Sequence, residues 1–319
     1  MKHIIINDFG LFLGLKSQRL VIKKDGSVIN ETALNRVKTI QVLNKGVILS
    51  SDLIHACSQR GIKIFFNTFN SFSALHTLYE HKSVQVRANQ YLACKNDMGL
   101  ELARRLIIGK LKNQRATMLY SSRNIQNELK SETISFFDKS ILQLKNKKEL
   151  SKEFILGIEG VCADKYFSYL KSMELLPPSF EYRTKRYSEE ITNITLNYGY
   201  AILQNFIYKS CINAGLEPYM GVLHSTRSGK PSLVLDIMEE YRSFVVDRNI
   251  IKLRSKLRDV KKFDTIKKDV ASAILKTLTK KYKYNHKKLT LESIIQRQIY
   301  KISGYFAKQN RYKSYIFRW

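Results

Sequence analysis

Residues 84–120 have the sequence VQVRANQYLACKNDMGLELARRLIIGKLKNQRATMLY. Apolar side chains recur through this stretch at spacings of three and four, which predicts helices that bury one face. The same spacing predicts further helices at 123–147, 151–172, 188–214, 232–247, 264–283 and 290–308. Proline is scarce in this part of the chain, and Pro177-Pro178 predicts a break between two of the helices. We therefore expect most of the chain to be α-helical.

Before residue 83 the pattern is different. Short runs rich in Val, Ile and Phe predict strands, and they are HIIIN, LFLGL, RLVIKK, VKTIQVL, GVILS and IKIFF. Asp25-Gly26 lies between two of these runs and indicates a hairpin. One helix is expected from Ser51 to Gln59, with a Ser cap and Gly61 just beyond its end. The predicted fold class is α+β, with a small β-strand-rich domain at 1–82 and a larger, mainly α-helical catalytic domain at 83–319.

The charge of the chain indicates its partner. Among 319 residues, 55 Lys and Arg oppose 27 Asp and Glu, giving a formal net charge of +28. Residues 252–319 alone hold 20 basic and 4 acidic residues, with tyrosines between them that are able to stack on bases. Such a surplus predicts nucleic acid as the partner. An anionic membrane surface is the weaker candidate, and no apolar run is long enough to span a bilayer.

Other motifs exclude several classes of protein. The four cysteines are widely spaced and form no C-x-x-C pair, which argues against a zinc knuckle and predicts reduced thiols in a cytoplasmic protein. The sequence contains neither a Walker A loop nor G-x-G-x-x-G. Nothing therefore indicates nucleotide hydrolysis or a dinucleotide cofactor.

An acidic group interrupts an apolar stretch at SLVLDIMEEYR, residues 232–242. On a helix, Asp236, Glu239 and Glu240 occupy positions i, i+3 and i+4 and share one face. One interpretation is structural: Glu239 pairs with Arg242, and Glu240 faces water. The other is a cation site, because converging carboxylates repel unless a cation lies between them or one is protonated. A divalent metal would bind these acids and also the phosphate oxygens of a nucleic acid.

Two further residues are candidates for the same site. His224 follows a loop with Gly and Pro and comes shortly before the acidic helix, so it is either a ligand or a structural histidine. Glu159 lies between Gly157 and Gly160 in the apolar helical stretch FILGIEGVCADKYFSYL. Each glycine costs a helix roughly 1 kcal/mol relative to Ala, which predicts that something approaches the backbone closely. Glu159 is either a metal ligand or a buried structural acid.

These motifs together resemble a known family. In order along residues 155–248 they are GIEG followed by YF, N-x-x-x-NYGYAIL, GLEPYMGVLH, SLVLDIMEEYR and VDR. Their order and spacing are similar to those of the CRISPR-associated integrase, the endonuclease of the spacer-acquisition complex. That family captures fragments of invading DNA as new spacers.

The resemblance assigns a role to each candidate residue. It implies that Glu159, His224 and Glu239 bind Mg²⁺ or Mn²⁺ and carry catalysis, with His224 either a ligand or a proton shuttle. Asp236 matches an additional acid and is expected to support the site, either as a helper or as a further metal ligand. Glu240 stands where many members have Pro and is not expected to bind metal.

The resemblance also implies an activity and partners. The expected function is a metal-dependent DNA integrase and endonuclease, in which a 3′-hydroxyl attacks a phosphodiester of the CRISPR repeat. The expected partners are double-stranded DNA with 3′-hydroxyl ends, a second copy in a homodimer and a small ferredoxin-like adaptation protein. The basic residues expected to contact DNA are Arg183, Arg186, Arg227, Lys230, Arg242 and Arg248.

Two alternatives use the same residues differently. One is a metal-dependent nuclease that acts on branched DNA in repair. The other is a non-catalytic, basic nucleic-acid-binding protein in which all the acids are structural.

Overall fold

A computed structural model describes residues 2–68, 71–75, 84–184 and 188–317. The chain divides into two compact units, Met1–Val84 and Gln85–Trp319. The boundary predicted between residues 82 and 83 lies outside the described residues. Strands before helices were predicted, and the α+β fold class is confirmed.

The described elements of the first unit are β1 (Lys2–Ile6), β2 (Phe12–Lys16), β3 (Arg19–Lys24), β4 (Ser27–Ala33), β5 (Val37–Val42), β6 (Ile48–Leu49), α1 (Ser51–Gln59), β7 (Lys63–Thr68) and β8 (Ser71–Leu75). These strands form two four-stranded sheets. In one, the strand order is β1-β5-β7-β8, with β8 antiparallel to β7 and the other pairs parallel. In the other, the order is β4-β3-β2-β6, antiparallel except between β2 and β6.

Local signals account for the predicted parts of this unit. Asp25 and Gly26 join β3 to β4 with φ of +48° and +80°, the left-handed conformation that an Asp-Gly hairpin turn requires. Helix α1 has the predicted bounds, and the Ser50 side chain accepts a hydrogen bond from the Leu53 backbone at its start. Both the hairpin and the helix are confirmed. Apolar side chains from both sheets and from α1 form the core of this unit.

The second unit is built from helices. They are α2 (Val84–Ala93), α3 (Asp97–Ser121), α4 (Glu128–Asn146), α5 (Lys152–Ser172), α6 (Ile191–Asn213), α7 (Ser232–Met238), α8 (Arg248–Lys252), α9 (Arg254–Arg258), α10 (Lys267–Thr279) and α11 (Leu291–Phe306). A π-helical turn at Arg242–Asp247 lies between α7 and α8, and β9 (Lys281–Tyr284) pairs with β10 (Lys287–Thr290).

The helical stretch at 84–120 forms two helices, because the Asn96 side chain caps a new start at α3. Two other predicted helices differ from the structure. The helix predicted at 232–247 ends as α7 at Met238 and resumes as the π-helical turn. The helix predicted at 264–283 ends at Thr279, and the next residues form the β9–β10 hairpin. Apolar spacing alone does not locate these interruptions.

Helix α3 lies at the centre of the second unit. It packs against α4, α5, α7, α8 and the π-helical turn. Its buried face is mostly apolar, with Leu102, Leu106 and Leu111 fully buried. The same face also buries Lys110 and Asn113, so this helix places polar groups inside the unit.

Residues 311–317 form neither helix nor strand and pack against this centre. We call residues 311–317 the C-terminal strap. The Phe317 ring stacks on Phe244 with centroids 3.5 Å apart. The Asn113 amide donates to the backbone oxygens of Glu240 (2.8 Å) and Tyr315 (3.0 Å), and its oxygen accepts from the Phe317 backbone N–H (3.1 Å). The Asn113 side chain of α3 therefore joins the C-terminal strap to the backbone at Glu240.

Asn113→Ala tests this connection. The substitution removes three hydrogen bonds to buried backbone groups, and an unsatisfied buried group costs about 1–3 kcal/mol. We expect the free energy of unfolding to fall by about 3 kcal/mol in urea titrations followed by circular dichroism. Asn146→Ala, at the exposed end of α4, is the control and should change it by less than about 0.5 kcal/mol. Equal effects of the two substitutions would refute the connection.

Candidate functional site

Glu159 lies on α5 and faces α3. The helix starts at the Ser151 cap, and Ile155 and Cys162 on either side of Glu159 are fully buried. The Glu159 side chain is 23% exposed, and its Oε1 forms an ion pair with Lys110 Nζ. The helix therefore holds this carboxylate at the edge of the core, with one side open to solvent.

The glycines around Glu159 are not required by packing within the described residues. A Cβ placed on Gly157 or Gly160 would meet no atom there within 4 Å. The expected close approach is therefore not made by any described part of this chain. Both positions leave the surface of α5 open beside the carboxylate.

Asp236 holds His224 in place. Asp236 is fully buried on α7, and its Oδ2 accepts from the backbone N–H groups of Val222 (2.6 Å) and Leu223 (3.0 Å). Its Oδ1 accepts from the His224 backbone N–H (2.9 Å) and lies 2.6 Å from His224 Nδ1. Because the carboxylate accepts, Nδ1 carries the hydrogen and Nε2 of the neutral ring keeps its lone pair. Gly221 is needed beside this group, since a Cβ there would lie 2.6 Å from Asp236 Oδ2.

Glu239 contacts two cations. Its Oε2 lies 2.7 Å from Lys110 Nζ, and its Oε1 accepts from Arg242 Nε at 2.9 Å. Burial acts to raise the pKa of Glu239, but Arg242 and Lys110 outweigh it and lower the pKa to about 2. A charged His224 ring would act in the same direction. The predicted pairing of Glu239 with Arg242 is confirmed.

Glu240 does not face water, and that expectation is wrong. It is fully buried, and the Tyr312 hydroxyl lies 2.9 and 2.8 Å from its two oxygens. Burial raises the pKa of Glu240 to about 8, although hydrogen bonds from Ser314 and Tyr312 oppose the rise.

The three acids also do not share one face. Because α7 ends at Met238, Asp236 points to His224, Glu239 to Lys110, and Glu240 to the C-terminal strap.

Lys110 is the residue at the site that sequence reasoning missed. It is buried on α3, and its Nζ contacts both Glu159 and Glu239. Burial acts to lower its pKa, but the two glutamates outweigh burial and the pKa is raised. The available signal was a lysine one turn after Leu106, on a helix face that is apolar up to that point.

A second buried acid lies next to Arg242. The Tyr200 hydroxyl donates to Asp247 Oδ1 at 2.5 Å, and the Arg242 guanidinium lies 4.5 Å from the centre of the Tyr200 ring. Burial raises the pKa of Asp247 to about 6, opposed by Tyr200 and Tyr166. Arg242 thus lies between Glu239 and this buried group, and its contacts with Glu239 and the Tyr200 ring hold the guanidinium in place.

The candidate ligands converge on an ammonium group in this structure. Among the described residues, no three His, Cys, Asp or Glu side chains form a ready-made metal-binding group. Instead Glu159 on α5 and Glu239 just after α7 contact the same Lys110 Nζ. The arrangement shows that one cation is able to bind both carboxylates, and a charged His224 ring lies within electrostatic range of Glu239.

The arginines expected to contact DNA have different surroundings. Arg183 donates to the side-chain oxygens of Asn193 (2.9 Å) and Asn197 (2.6 Å). Arg227 and Lys230 lie in the loop before α7, where the Lys230 backbone N–H donates to Arg227 O. Arg186 lies outside the described residues. None of these contacts involves a carboxylate.

Arg248 belongs to a larger group of cations. Its guanidinium lies 5.3 Å from the Tyr120 ring centre, and Arg123 lies 5.2 Å from the same ring. Lys280 lies 5.9 Å from the ring centre of Tyr282. We call the whole group the tyrosine–cation cluster, and its members are Tyr120, Arg123, Arg248, Lys252, Lys276, Lys280 and Tyr282.

The lysines of this cluster repel one another. Burial lowers the pKa of Lys252, and the charges of Arg248, Lys280 and Lys276 lower it further. Hydrogen bonds from Arg248 and Arg123 lower the pKa of Tyr120. A bound polyanion would relieve this repulsion, and the tyrosine rings offer faces for stacking.

Comparison with known proteins identifies the family. The family model described as CRISPR associated protein Cas1 matches residues 4–287. The chain belongs to the Cas1 family. A CRISPR-associated endonuclease Cas1 from Francisella tularensis subsp. novicida (strain U112) is 46% identical over 323 residues, covering 100% of both chains.

Solved structures share the fold of this Cas1 family member. A casposase bound to an integration product superposes with a TM-score of 0.74 at 22% identity, covering 98% of each chain. A chain of a partial Cas6-RT-Cas1–Cas2 complex gives a TM-score of 0.73 at 18% identity, covering 99% of this chain and 98% of that one. In the described part of the chain, no helix has the length and apolarity needed to cross a membrane.

Glu240→Gln tests the buried acid through pH. Between about pH 5 and pH 8, the Glu240 carboxyl is ionised in the unfolded chain but protonated in the folded one. The unfolded chain then binds fewer protons, so this group makes stability fall as pH rises, by at most about 1.4 kcal/mol per pH unit. Glutamine does not titrate. We therefore expect the Tm of Glu240→Gln relative to wild type to increase from pH 5 to pH 8.

The exposed Glu149→Gln is the control for this experiment, and its Tm should stay parallel to that of wild type. If the Tm of Glu240→Gln also stayed parallel to that of wild type between pH 5 and pH 8, the raised pKa of Glu240 would be contradicted.

Single Lys→Ala substitutions at Lys252, Lys276 and Lys280 test the tyrosine–cation cluster. Each removes one exposed charge, so we expect weaker binding of duplex DNA and a salt dependence of log K that is less steep by about 1 per lysine in contact with phosphate. Fluorescence anisotropy at several salt concentrations measures both. Lys256→Ala is the matched control, because Lys256 is already paired with Asp269 at 2.8 Å. The cluster has no role in binding if all four variants behave alike.

Proposed function

We propose that this chain is a divalent-metal-dependent DNA integrase and endonuclease that inserts foreign DNA fragments as spacers into a CRISPR array. One observation carries the proposal: Glu159 and Glu239, from separate parts of the chain, contact one cation, and His224 lies within electrostatic range of Glu239. The relatives support the reaction class, since one is named an endonuclease and another structure holds an integration product.

The residues present fit Mg²⁺ or Mn²⁺. Glu159 and Glu239 would supply carboxylate oxygens, and the Nε2 lone pair of His224 would supply a nitrogen. Oxygen with imidazole suits Mn²⁺ and tolerates Mg²⁺. Asp236 holds the ring through Nδ1, the arrangement in which a carboxylate orients a metal-binding histidine. We therefore propose that Asp236 orients the His224 ring and does not itself bind the metal, because its oxygens already accept four hydrogen bonds.

The reaction exchanges one phosphodiester for another. The 3′-hydroxyl oxygen of the incoming DNA forms a bond to a target phosphorus, the bond from that phosphorus to the target 3′-oxygen breaks, and the leaving oxygen takes up a proton. When bound, the metal would polarise the phosphoryl oxygen and stabilise the developing charge. His224, which is 28% exposed, is placed to accept the proton of the attacking hydroxyl if Nε2 is not a ligand. Water in place of the hydroxyl gives hydrolysis at the same site.

The basic surface would hold the DNA. The tyrosine–cation cluster and the Arg227–Lys230 loop provide charges for phosphates, in keeping with the net charge of +28. We further propose that the chain works as a homodimer with a small ferredoxin-like adaptation protein. The Cas1–Cas2 complex among the structures of similar fold supports a protein partner of this kind.

An integration assay tests the proposal. Wild type is incubated with Mn²⁺ or Mg²⁺, a supercoiled plasmid that carries a repeat array and a labelled duplex with 3′-hydroxyl ends. We expect wild type to join the labelled duplex to the plasmid. The yield of joined product should be at least about a hundredfold lower for Glu159→Gln, His224→Ala and Glu239→Gln. These variants should stay folded and bind DNA. Glu153→Gln, exposed on the same helix, should join normally.

A duplex with 3′-deoxy ends separates the alternatives. Integration needs the terminal hydroxyl, so joining should be lost with this duplex. Cutting of branched DNA without joining of either duplex would favour the repair nuclease. If the three variants unfold and wild type neither cuts nor joins, the acids are structural and the proposal fails.

A further inference from the structure

Lys110 occupies the point at which the two candidate ligands meet. Its Nζ contacts Glu159 Oε1 and lies 2.7 Å from Glu239 Oε2. The lysine and Glu239 side chains are each 7% exposed. A lysine is almost never buried unless it is paired, so this ammonium is held by the carboxylates themselves.

A divalent ion and this ammonium cannot both occupy the position between the two carboxylates. Mg²⁺ lies about 2.0–2.1 Å from its ligand oxygens, closer than the 2.7 Å separation seen here. An ion in contact with both glutamates would therefore lie next to Lys110 Nζ, and two adjacent positive charges in a buried site repel strongly. One of them has to leave.

Resting on the function proposed above, we propose that Lys110 is a built-in competitor of the metal, which holds Glu159 and Glu239 together until a divalent ion displaces it. The lysine prevents the two carboxylates from repelling each other when metal is absent. It also weakens metal binding, because the ion has to break two ion pairs. The flexible lysine stem stays anchored on α3, so the displaced ammonium remains near the site as a point charge for a substrate phosphate.

Lys110→Met separates these two effects. It keeps a long apolar stem but removes the charge, so the metal-free protein should have a lower Tm than wild type. In the same protein, Mn²⁺ should bind more tightly. We expect the Kd measured by isothermal titration calorimetry on EDTA-stripped full-length protein to fall at least tenfold, which corresponds to about 1.4 kcal/mol. Saturating Mn²⁺ should raise the Tm of Lys110→Met more than that of wild type.

Lys112→Met is the matched control. Lys112 lies on the same helix, and the charges that act on it are those of Lys145 and Lys313. The same substitution there changes the net charge equally without touching the two glutamates. Its Kd for Mn²⁺ should stay within about twofold of wild type.

Labelling of wild type tests the proposal without a variant that has to fold. An amine-acetylating reagent is applied with and without Mn²⁺, and modified lysines are identified by peptide mass spectrometry. We expect acetylation of Lys110 to increase several-fold with Mn²⁺, because the ammonium is released from its ion pairs. Acetylation of Lys112 should stay unchanged.

The outcomes distinguish the two proposals. Equal or weaker Mn²⁺ binding by Lys110→Met, or unchanged acetylation of Lys110 in wild type that binds Mn²⁺, overturns the competitor role and leaves the metal site intact. Failure of both wild type and Lys110→Met to bind Mn²⁺ overturns the metal site and the competitor role together.

Discussion

Two carboxylates from separate parts of the chain, Glu159 on α5 and Glu239 just after α7, are brought together at the edge of the core, and this arrangement requires a cation. Glu159 and Glu239 would repel if Lys110 did not contact both, and Arg242 balances the second oxygen of Glu239. The need for a cation therefore governs the neighbouring structure. It explains why a protein with a net charge of +28 concentrates acids at one point, and why basic side chains reach into the core there.

Helix α3 links this charge group to the rest of the second unit. Lys110 contacts the glutamates, and Asn113, about one turn later, bonds to the Glu240 backbone and to the C-terminal strap. Between α3 and the strap there is no room for a larger residue at Gly109, since a Cβ there would lie 2.6 Å from Ser314 Cβ and 3.0 Å from Glu240 Oε1. The end of the chain thus supports the segment that carries Glu239, although the two are far apart in sequence.

Sequence predicted what depends on local patterns. The Asp25-Gly26 turn, α1 and the helix that carries Glu159 follow from turn chemistry, capping and apolar spacing. The end of α7 was missed, because no Gly or Pro follows Met238 and the apolar pattern continues into the π-helical turn. That error placed three acids on one face. Lys110 was missed because its role depends on α3 and α5 packing together, a long-range contact that spacing along one helix does not reveal.

We propose that Glu159, Glu239 and His224 form a divalent-metal site at the place where Lys110 Nζ lies. Anomalous diffraction from crystals soaked in Mn²⁺, collected near the manganese absorption edge, would locate the ion. We expect one anomalous peak in contact with Glu159, Glu239 and His224 Nε2, with the Lys110 side chain moved away from both glutamates. Soaked crystals with no peak there, and with Lys110 still bridging the two carboxylates, would contradict it.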